Sequence, residues 1–406
     1  MVTKSKDLRT GRSVWEATRA PPVPHRRLAR DIETDVLVIG AGITGAMVAD
    51  ALSAEGFRVV VVDRRGPAKG STTASTALVQ YEVDTPLTQL ALRIGKRDAI
   101  RAWRRSRLAV DAIAVRLSEI GVPNLERRDT LYLAGNVLDA DGLAQEREAR
   151  LAAGLPCRLL SRSELGANFG VRAQAAIMAY GDFTIDPRET TCALLRAACN
   201  AGTKIYTPVD IAGIDAKKSR VLATTTNGWT IRAQNLVFAT GYEFPKQVPQ
   251  GGHRISSSWA IATAPQPRRL WPTRCMIWQA ADPYLYLRTT SDGRVICGGE
   301  DEEFFDEEKR NAFVGRKTRT LERKLKRLIP GIDSRAEFAW AGSFGQTATG
   351  LPMIGPIPGM PNCWAALGYG GNGTTYSRIA ADIICGALVG RPDVDANLYD
   401  FGRAKR

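Results

Sequence analysis

Two glycine runs carry the first chemical signal. "GAGITG" occupies 40–45 and "GYGGNG" occupies 368–373, both with the G-x-G-x-x-G spacing that brings backbone amides close to a phosphate. The first run follows the apolar, β-branched stretch "DVLVIG" and opens a segment of helical periodicity, 43–54. Gly40 permits the tight turn, Gly42 the close approach of a pyrophosphate, and Gly45 close packing of helix on strand. Ile43 and Thr44 then lie at a helix N-terminus, whose free amides and partial positive charge suit an anion. Asp63 ends the next apolar strand, "FRVVVVD", where a carboxylate accepts the protons of ribose hydroxyls. Strand, glycine turn, helix, strand and terminal acid together predict a dinucleotide site.

The residues after Asp63 separate two dinucleotides. A nicotinamide enzyme usually continues into another simple βαβ unit, whereas here "RRGPAKGSTTAS" (64–75) follows. Gly70, Ser71, Thr72, Ala74, Ser75 and Thr76 form a small, hydroxyl-rich loop that offers further amides to an extended FAD. The second glycine run also follows a strand, "CWAAL", and precedes a helix. No strand with a terminal acid comes after it, since Asp393 and Asp395 lie in a loop-like tail. It therefore predicts a nest of amides instead of a second dinucleotide site. Gly370, Gly371, Asn372, Gly373 and Thr374 would face the pyrimidine end of a flavin and favour its anionic reduced form.

These motifs need a scaffold of two parts. Residues 1–33 are expected to be an arm, stiffened by "PPVP". Residues 34–90, 150–243 and 336–406 are expected to build a discontinuous FAD-binding domain, and 91–149 with 244–335 a substrate domain. Helices are expected at 85–120, 139–153, 186–202, 306–328 and 374–387. Short strands at 203–214, 220–226 and 229–233 look like a β-meander, "NLVFATG" (235–241) like a separate buried strand, and 254–299 is β-rich. The fold class is α/β (α+β): a Rossmann-like FAD-binding domain plus a second domain on a mostly antiparallel sheet.

Composition narrows the setting. The 406 residues include 44% hydrophobic and 24% charged, ordinary for a globular protein. No apolar run has the length of a membrane span, and the polar, basic N-terminus lacks a signal-peptide core. Seven cysteines without a C-x-x-C pair suit reduced thiols in a cytoplasm, and two histidines make a His-built metal site improbable. The net charge of +14 concentrates in 93–107 and 316–328, either solvated helix faces or a surface for a polyanion.

As a set, "DVLVIGAGITG…VVVVD", "GSTTAS", "NLVFATGYE", "WAGSFGQTATGLPMIG" and "GYGGNG…IAADIICG" resemble the D-amino acid oxidase superfamily, which includes glycine oxidase, sarcosine oxidase and γ-glutamylputrescine oxidoreductase-like enzymes. The resemblance runs from about 31 to 402. It implies one FAD, hydride transfer from the carbon of a C–N bond, hydrolysis of the imine, and reoxidation by oxygen or another acceptor. It extends the cofactor set to Arg64, Val209, Thr240, Gly241 and Gly342.

The departures matter as much. Relatives place a carboxylate-clamping arginine just after a "WAG"-like motif, where this chain has Ser343, Phe344 and Gly345. Sarcosine oxidases carry arginines near the positions of Ala77 and Gln80. Relatives with covalent flavin have a cysteine near Ser343 or Phe344, so FAD is expected to be non-covalent here. Arg288 and Arg254 are then the candidate clamps. Alternatively the substrate is an amine without an α-carboxylate, whose ammonium Glu82 would meet. Tyr81 and Glu82 are expected near the flavin ring, and Tyr284 and Tyr286, sharing one face of a strand, near the substrate or in plain packing. His253, in the loop-like "PQGGHR", is a weak acid–base candidate. Cys363 and Cys385 are expected to be core thiols. Rival readings are an FAD enzyme acting on RNA and a flavin-binding accessory subunit of a dehydrogenase complex.

Overall fold

A computed structural model describes residues 1–123, 125–248 and 253–403. Two sheets divide the described residues. The smaller, of eight strands, is centred on Ile32–Ile39, paired in parallel with Thr230–Phe238 on one side and Val59–Val62 on the other. Val36, Leu37 and Val38 are wholly buried. Val36 and Val38 join one apolar cluster and Leu37 another, so alternation feeds both faces of a strand covered on both sides. Helices Ile43–Ala54, Pro187–Asn200 and Gly373–Leu388 lie together on one face. Pro187 opens its helix under the cap of Asp186, whose Oδ1 accepts the amides of Arg188 at 2.9 Å and Glu189 at 3.0 Å.

The larger sheet has ten strands and is antiparallel except where Met276–Gln279 runs parallel to Glu126–Leu133. Helix Val314–Leu328 covers part of it, burying Leu321, Leu325 and Leu328 beside Trp259 and Ile261. The mixed α/β architecture with a largely antiparallel second sheet agrees with the sequence. Its partition differs at three places. Strand Leu78–Val79, strands Cys157–Ser161 and Ala175–Thr184, and the strand Ala336–Thr347 pair within the larger sheet, so the expected boundaries at 90, 150 and 336 do not follow the sheets.

Local expectations also needed changes. Residues 1–33 are no free arm: Arg9–Gly11 pairs with Ala336–Thr347, and Val2, Leu8, Val14, Trp15, Val23 and Leu28 are buried. These apolar residues are spaced too widely to show a period, yet each finds the core. Lys204–Tyr206 pairs in parallel with Val59–Val62 and stands apart from the meander, while "NLVFATG" is the second half of one strand, Thr230–Phe238. The expected "PQGGHR" loop falls largely outside the described residues, and His253 begins the strand His253–Thr263. Among the described residues no helix is long and apolar enough to cross a membrane.

Candidate active site

Between the sheets lies a cleft of about 1900 Å³, counting its open mouth. The first glycine turn forms one wall. Gly40 sits at φ +118°, and a side chain on Gly45 would overlap the Gly40 carbonyl oxygen, so only glycine lets the helix meet the strand here. The Ile43 amide donates to Thr72 Oγ1 at 3.1 Å, and Thr44 Oγ1 bonds Ser377 Oγ at 2.8 Å, which couples the two cleft helices. Asp63 Oδ2 accepts from the Ala41 amide at 2.8 Å, and Oδ1 accepts from Arg65 and Gly66, each at 2.7 Å. The acid thus shapes the turn that a nucleotide would meet, while still lining the cleft.

Most expected cofactor residues line this cleft together: Gly40, Gly42, Ile43, Thr44, Asp63, Arg64, Gly70, Ser71, Thr72, Ala74, Ser75, Thr76, Val209, Thr240, Gly241, Gly342, Gly370, Gly371, Asn372, Gly373 and Thr374. Gly45 stands behind the wall and acts through packing. An extended dinucleotide fits the walls: the cradle at Gly42 would be narrowed by a side chain meeting Thr72, and two helix N-termini open into it. No cysteine lines the cleft among the described residues.

The second glycine run differs from expectation in one respect. Gly370 donates its amide to the Gly345 carbonyl at 2.8 Å, and Gly371 donates to Asp84 Oδ2 at 2.6 Å. Two amides of the nest are therefore engaged within the protein. The first turn of Gly373–Leu388 supplies the donors that remain.

The comparisons bear on this geometry. The family model described as DAO, FAD dependent oxidoreductase, matches residues 35–387. The chain belongs to this family. Glycine oxidase of Geobacillus kaustophilus is 25% identical over 392 residues, covering 90% of this chain and 96% of the relative. Its crystal structure superposes with a TM-score of 0.71 at 22% identity, covering 89% of this chain and 96% of that one. A tRNA 5-methylaminomethyl-2-thiouridine biosynthesis bifunctional protein of Cupriavidus necator is 26% identical over 430 residues, covering 96% of this chain; the chain spans 62% of that relative's length. The L-amino acid deaminase of Proteus myxofaciens shares the fold, with a TM-score of 0.77 at 17% identity and 98% of each chain covered. This protein is an FAD-dependent oxidoreductase.

The expected substrate residues divide. Tyr284 and Tyr286 line the cleft with rings 5.3 Å apart, and Tyr286 bonds Ser258 Oγ at 3.1 Å. Burial raises both phenols, and nearby Asp301 adds to the rise, so both stay protonated. Tyr81, Glu82 and Arg288 do not line the cleft. Tyr81 packs edge-on against Trp103, its amide held by Asp182 at 3.1 Å. Glu82 is fully buried in an ion pair with Arg150, which also holds Glu146 at 2.9 Å. Glu82 nevertheless touches the site indirectly: Oε2 accepts from Trp278 Nε1 at 3.2 Å, and its carbonyl accepts from Asn372 Nδ2 at 2.5 Å. Trp278 and Asn372 both line the cleft.

Arg288 is buried and donates to the carbonyls of Thr289 at 3.0 Å, Ala77 at 2.9 Å and Ile185 at 2.7 Å. Burial pulls it down to about 9, still charged at neutral pH. It pins the segment around Ala77, whose φ of +59° strains a residue with a side chain. The other candidate clamp, Arg254, is exposed and pairs with Glu303 at 3.2 Å. The His253 ring lies tilted against Phe244, centroids 3.9 Å apart, and burial holds its pKa down to about 4, so it is neutral.

Sequence reasoning overlooked Asp84, Tyr242, Trp278 and Tyr369. Tyr242 and Tyr369 sit inside motifs already singled out, "NLVFATGYE" and "GYGGNG", and Asp84 lies two residues past Glu82, all at positions whose side-chain direction only the fold determines.

Proposed function

We propose that the chain oxidises the C–N bond of an amine or amino acid, with FAD held non-covalently along the cleft. When bound, FAD supplies the acceptor for a hydride, and oxygen or another acceptor would take up the electrons. The observation that carries the reading is continuity: one cleft joins the strand–turn–helix wall at Gly40–Asp63 to a pocket of Tyr242, Tyr284, Tyr286, Tyr369 and Asp84. Relatives named glycine oxidase and L-amino acid deaminase support an amino nitrogen as the reacting group.

The residues have specific tasks. An ammonium of pKa near 10 must lose a proton before its carbon can release hydride, a cost of about 4 kcal/mol at pH 7. Burial in the aromatic pocket contributes to that shift. Asp84, pushed up to about 6 by burial against the opposing Gly371 hydrogen bond, is ionised at neutral pH and can receive the proton. The phenols of Tyr242, Tyr284 and Tyr369 are raised by burial and serve as walls and hydrogen-bond donors. A cytoplasmic setting suits the seven free cysteines.

The decisive experiment is anaerobic titration of the yellow protein with a panel of amines, N-methyl amino acids and amino acids of both hands. Loss of the visible flavin absorbance with one class supports the reading; a band unchanged by every compound refutes it. The bifunctional tRNA relative keeps an RNA-linked amine as the second reading.

A further inference from the structure

The charges of the cleft are unevenly placed. Its charged lining residues are Asp63, Arg64, Arg65, Asp84, Asp210 and Glu243. Both arginines are already paired, Arg64 with Asp210 at 2.9 Å and Arg65 with Glu243 at 2.5 Å, beside the nucleotide wall of Asp63. Asp84, held by the Gly371 amide, acts on the phenols of Tyr242, Tyr284 and Tyr286, and apart from Arg64 and Arg65 no lysine, arginine or histidine lines the cleft among the described residues.

A second carboxylate stands behind the tyrosines. Within the strand Val295–Glu302, Gly298 faces the Tyr286 ring, which a side chain at 298 would strike. Glu300, at φ +60°, interrupts the alternation where the strand's register with His253–Thr263 shifts. Glu300 and Glu302 therefore both turn toward helix Val314–Leu328, where Lys317 takes Glu302 at 2.6 Å and Lys324 takes Glu300. Asp301, between them, is turned to the tyrosine side. Both of its carboxylate oxygens are buried with no hydrogen-bond partner. Burial pushes it up to about 7, opposed by the hydrogen-bonding pull of the Ser258 hydroxyl, which is itself shared with Tyr286, and by Lys317, while the charges of Asp84 and Asp282 add to the rise. A buried acid left unpaired is costly, and a cation in the pocket would relieve it.

We propose that this pocket recognises the ammonium of an amine lacking an α-carboxylate, with Asp84 and Asp301 as its anionic partners and Tyr242, Tyr284 and Tyr286 as aromatic walls. The inference rests on the C–N reading above and sharpens it. An α-carboxylate placed here meets two acids and no cation, a repulsive arrangement. An ammonium meets two acids and the faces of phenol rings, both attractive. The two candidate clamp guanidiniums are occupied elsewhere: Arg288 by three carbonyls and Arg254 by Glu303 at the surface.

The test uses the flavin-loaded protein and two ligands that cannot turn over, because neither carries hydrogen on the carbon bearing nitrogen. Calorimetry should show tert-butylamine binding at least about tenfold more tightly than 2-aminoisobutyrate, as a charge-assisted contact requires. Asp301→Asn should weaken the amine about tenfold while leaving 2-aminoisobutyrate no weaker. Asp84→Asn, which keeps an oxygen for the Gly371 amide, should act the same way and decides the matter should the first variant shed its flavin. Equal or tighter binding of 2-aminoisobutyrate, or amine affinity unmoved in both variants, overturns the proposal. Anaerobic reduction by butylamine and by each enantiomer of norvaline separates the two claims. Reduction by norvaline alone sinks the amine preference and leaves C–N oxidation standing. Tight tert-butylamine binding with no reduction by any compound sinks C–N oxidation and leaves the ammonium pocket.

Discussion

Asp84 Oδ2 accepts the Gly371 amide at 2.6 Å, joining segments 287 residues apart at the floor of the cleft. Gly371 has to be glycine for this contact, since a side chain there would crowd the carboxylate at 2.8 Å. The contact closes the cleft by linking the segment after the small-residue loop to the turn that starts the last helix. It also places an acid where a bare nest of amides was expected.

That burial has a pH signature. Asp84 is harder to ionise when folded, pushed from 3.8 up to about 6. The unfolded chain therefore gives up its proton first, and stability falls as pH rises from about 4 through about 6, then stays level. Asp84→Asn keeps the Gly371 contact and removes this penalty. In the flavin-free protein it should raise stability by about 3 kcal/mol near pH 7.5 and by less than about 1 kcal/mol near pH 4. Thermal unfolding across that range checks it; a pH-independent difference would count against the assignment.

Gly45→Ala should destroy the nucleotide wall. The added carbon overlaps the Gly40 carbonyl oxygen, which is backbone and cannot swing aside. Overpacking of this kind costs about 1–3 kcal/mol and displaces the helix N-terminus. We expect loss of bound FAD on gel filtration. Gly213→Ala, where an added carbon meets nothing within 4 Å, is the matched control and should retain its colour.

Arg150 holds two buried carboxylates, Glu82 and Glu146, and stacks over Trp103 at 4.6 Å and Tyr132 at 5.3 Å. Arg150→Met should cost about 4 kcal/mol, because two like charges are left buried together. The loss should shrink as pH is lowered and one acid protonates. Glu82→Gln should cost less, since Arg150 keeps Glu146. Urea midpoints at two pH values measure both.

How far the sequence carried can be read from particular residues. Val36 to Gly45 announced strand, turn and helix because every local preference there agrees with the fold. Tyr284 and Tyr286 were legible because alternation fixes a shared face, and the cleft happens to lie on that face. Glu82 and Asp84 are the counter-case. They sit two residues apart in the chain, yet one faces Arg150 in the core and the other the cleft. Nothing local separates them; the choice is made by Arg150 and Gly371, both distant in sequence. Asp301 was hidden for a related reason: the irregularity at Glu300, with φ +60°, sets which face of the strand it takes, and no residue type in "GGEDE" announces it.

The basic helices are less available to a polyanion than their composition suggests. Arg101 pairs with Asp98 and Asp395, Arg105 with Asp382 and Asp393, and Arg116 with Asp50 and Glu119. Lys317 and Lys324 are held by Glu300 and Glu302. Arg93, Lys96, Arg97, Arg319, Arg323 and Arg327 stay exposed without an ion-pair partner among the described residues, enough for a salt-sensitive attraction but spread over separate helices. Retention of tRNA on a filter should be weak and vanish by about 0.2 M salt. Tight retention at that salt would restore the RNA reading.

Arg288→Lys distinguishes a clamp from a pin. As a substrate clamp, Arg288 would raise KM when shortened to a single point charge. Its guanidinium instead spans three carbonyls, two of them in distant segments at Ala77 and Ile185, and lies 5.5 Å over the Trp15 ring. A lysine cannot reproduce that fork, so the buried carbonyls lose partners at a cost of about 1–3 kcal/mol. The expected result is a lower unfolding temperature with KM for the best amine unchanged. The strain at Ala77 makes its loop the first part to loosen, which proteolysis near residues 75–80 would report. A raised KM with unaltered stability would return Arg288 to the substrate.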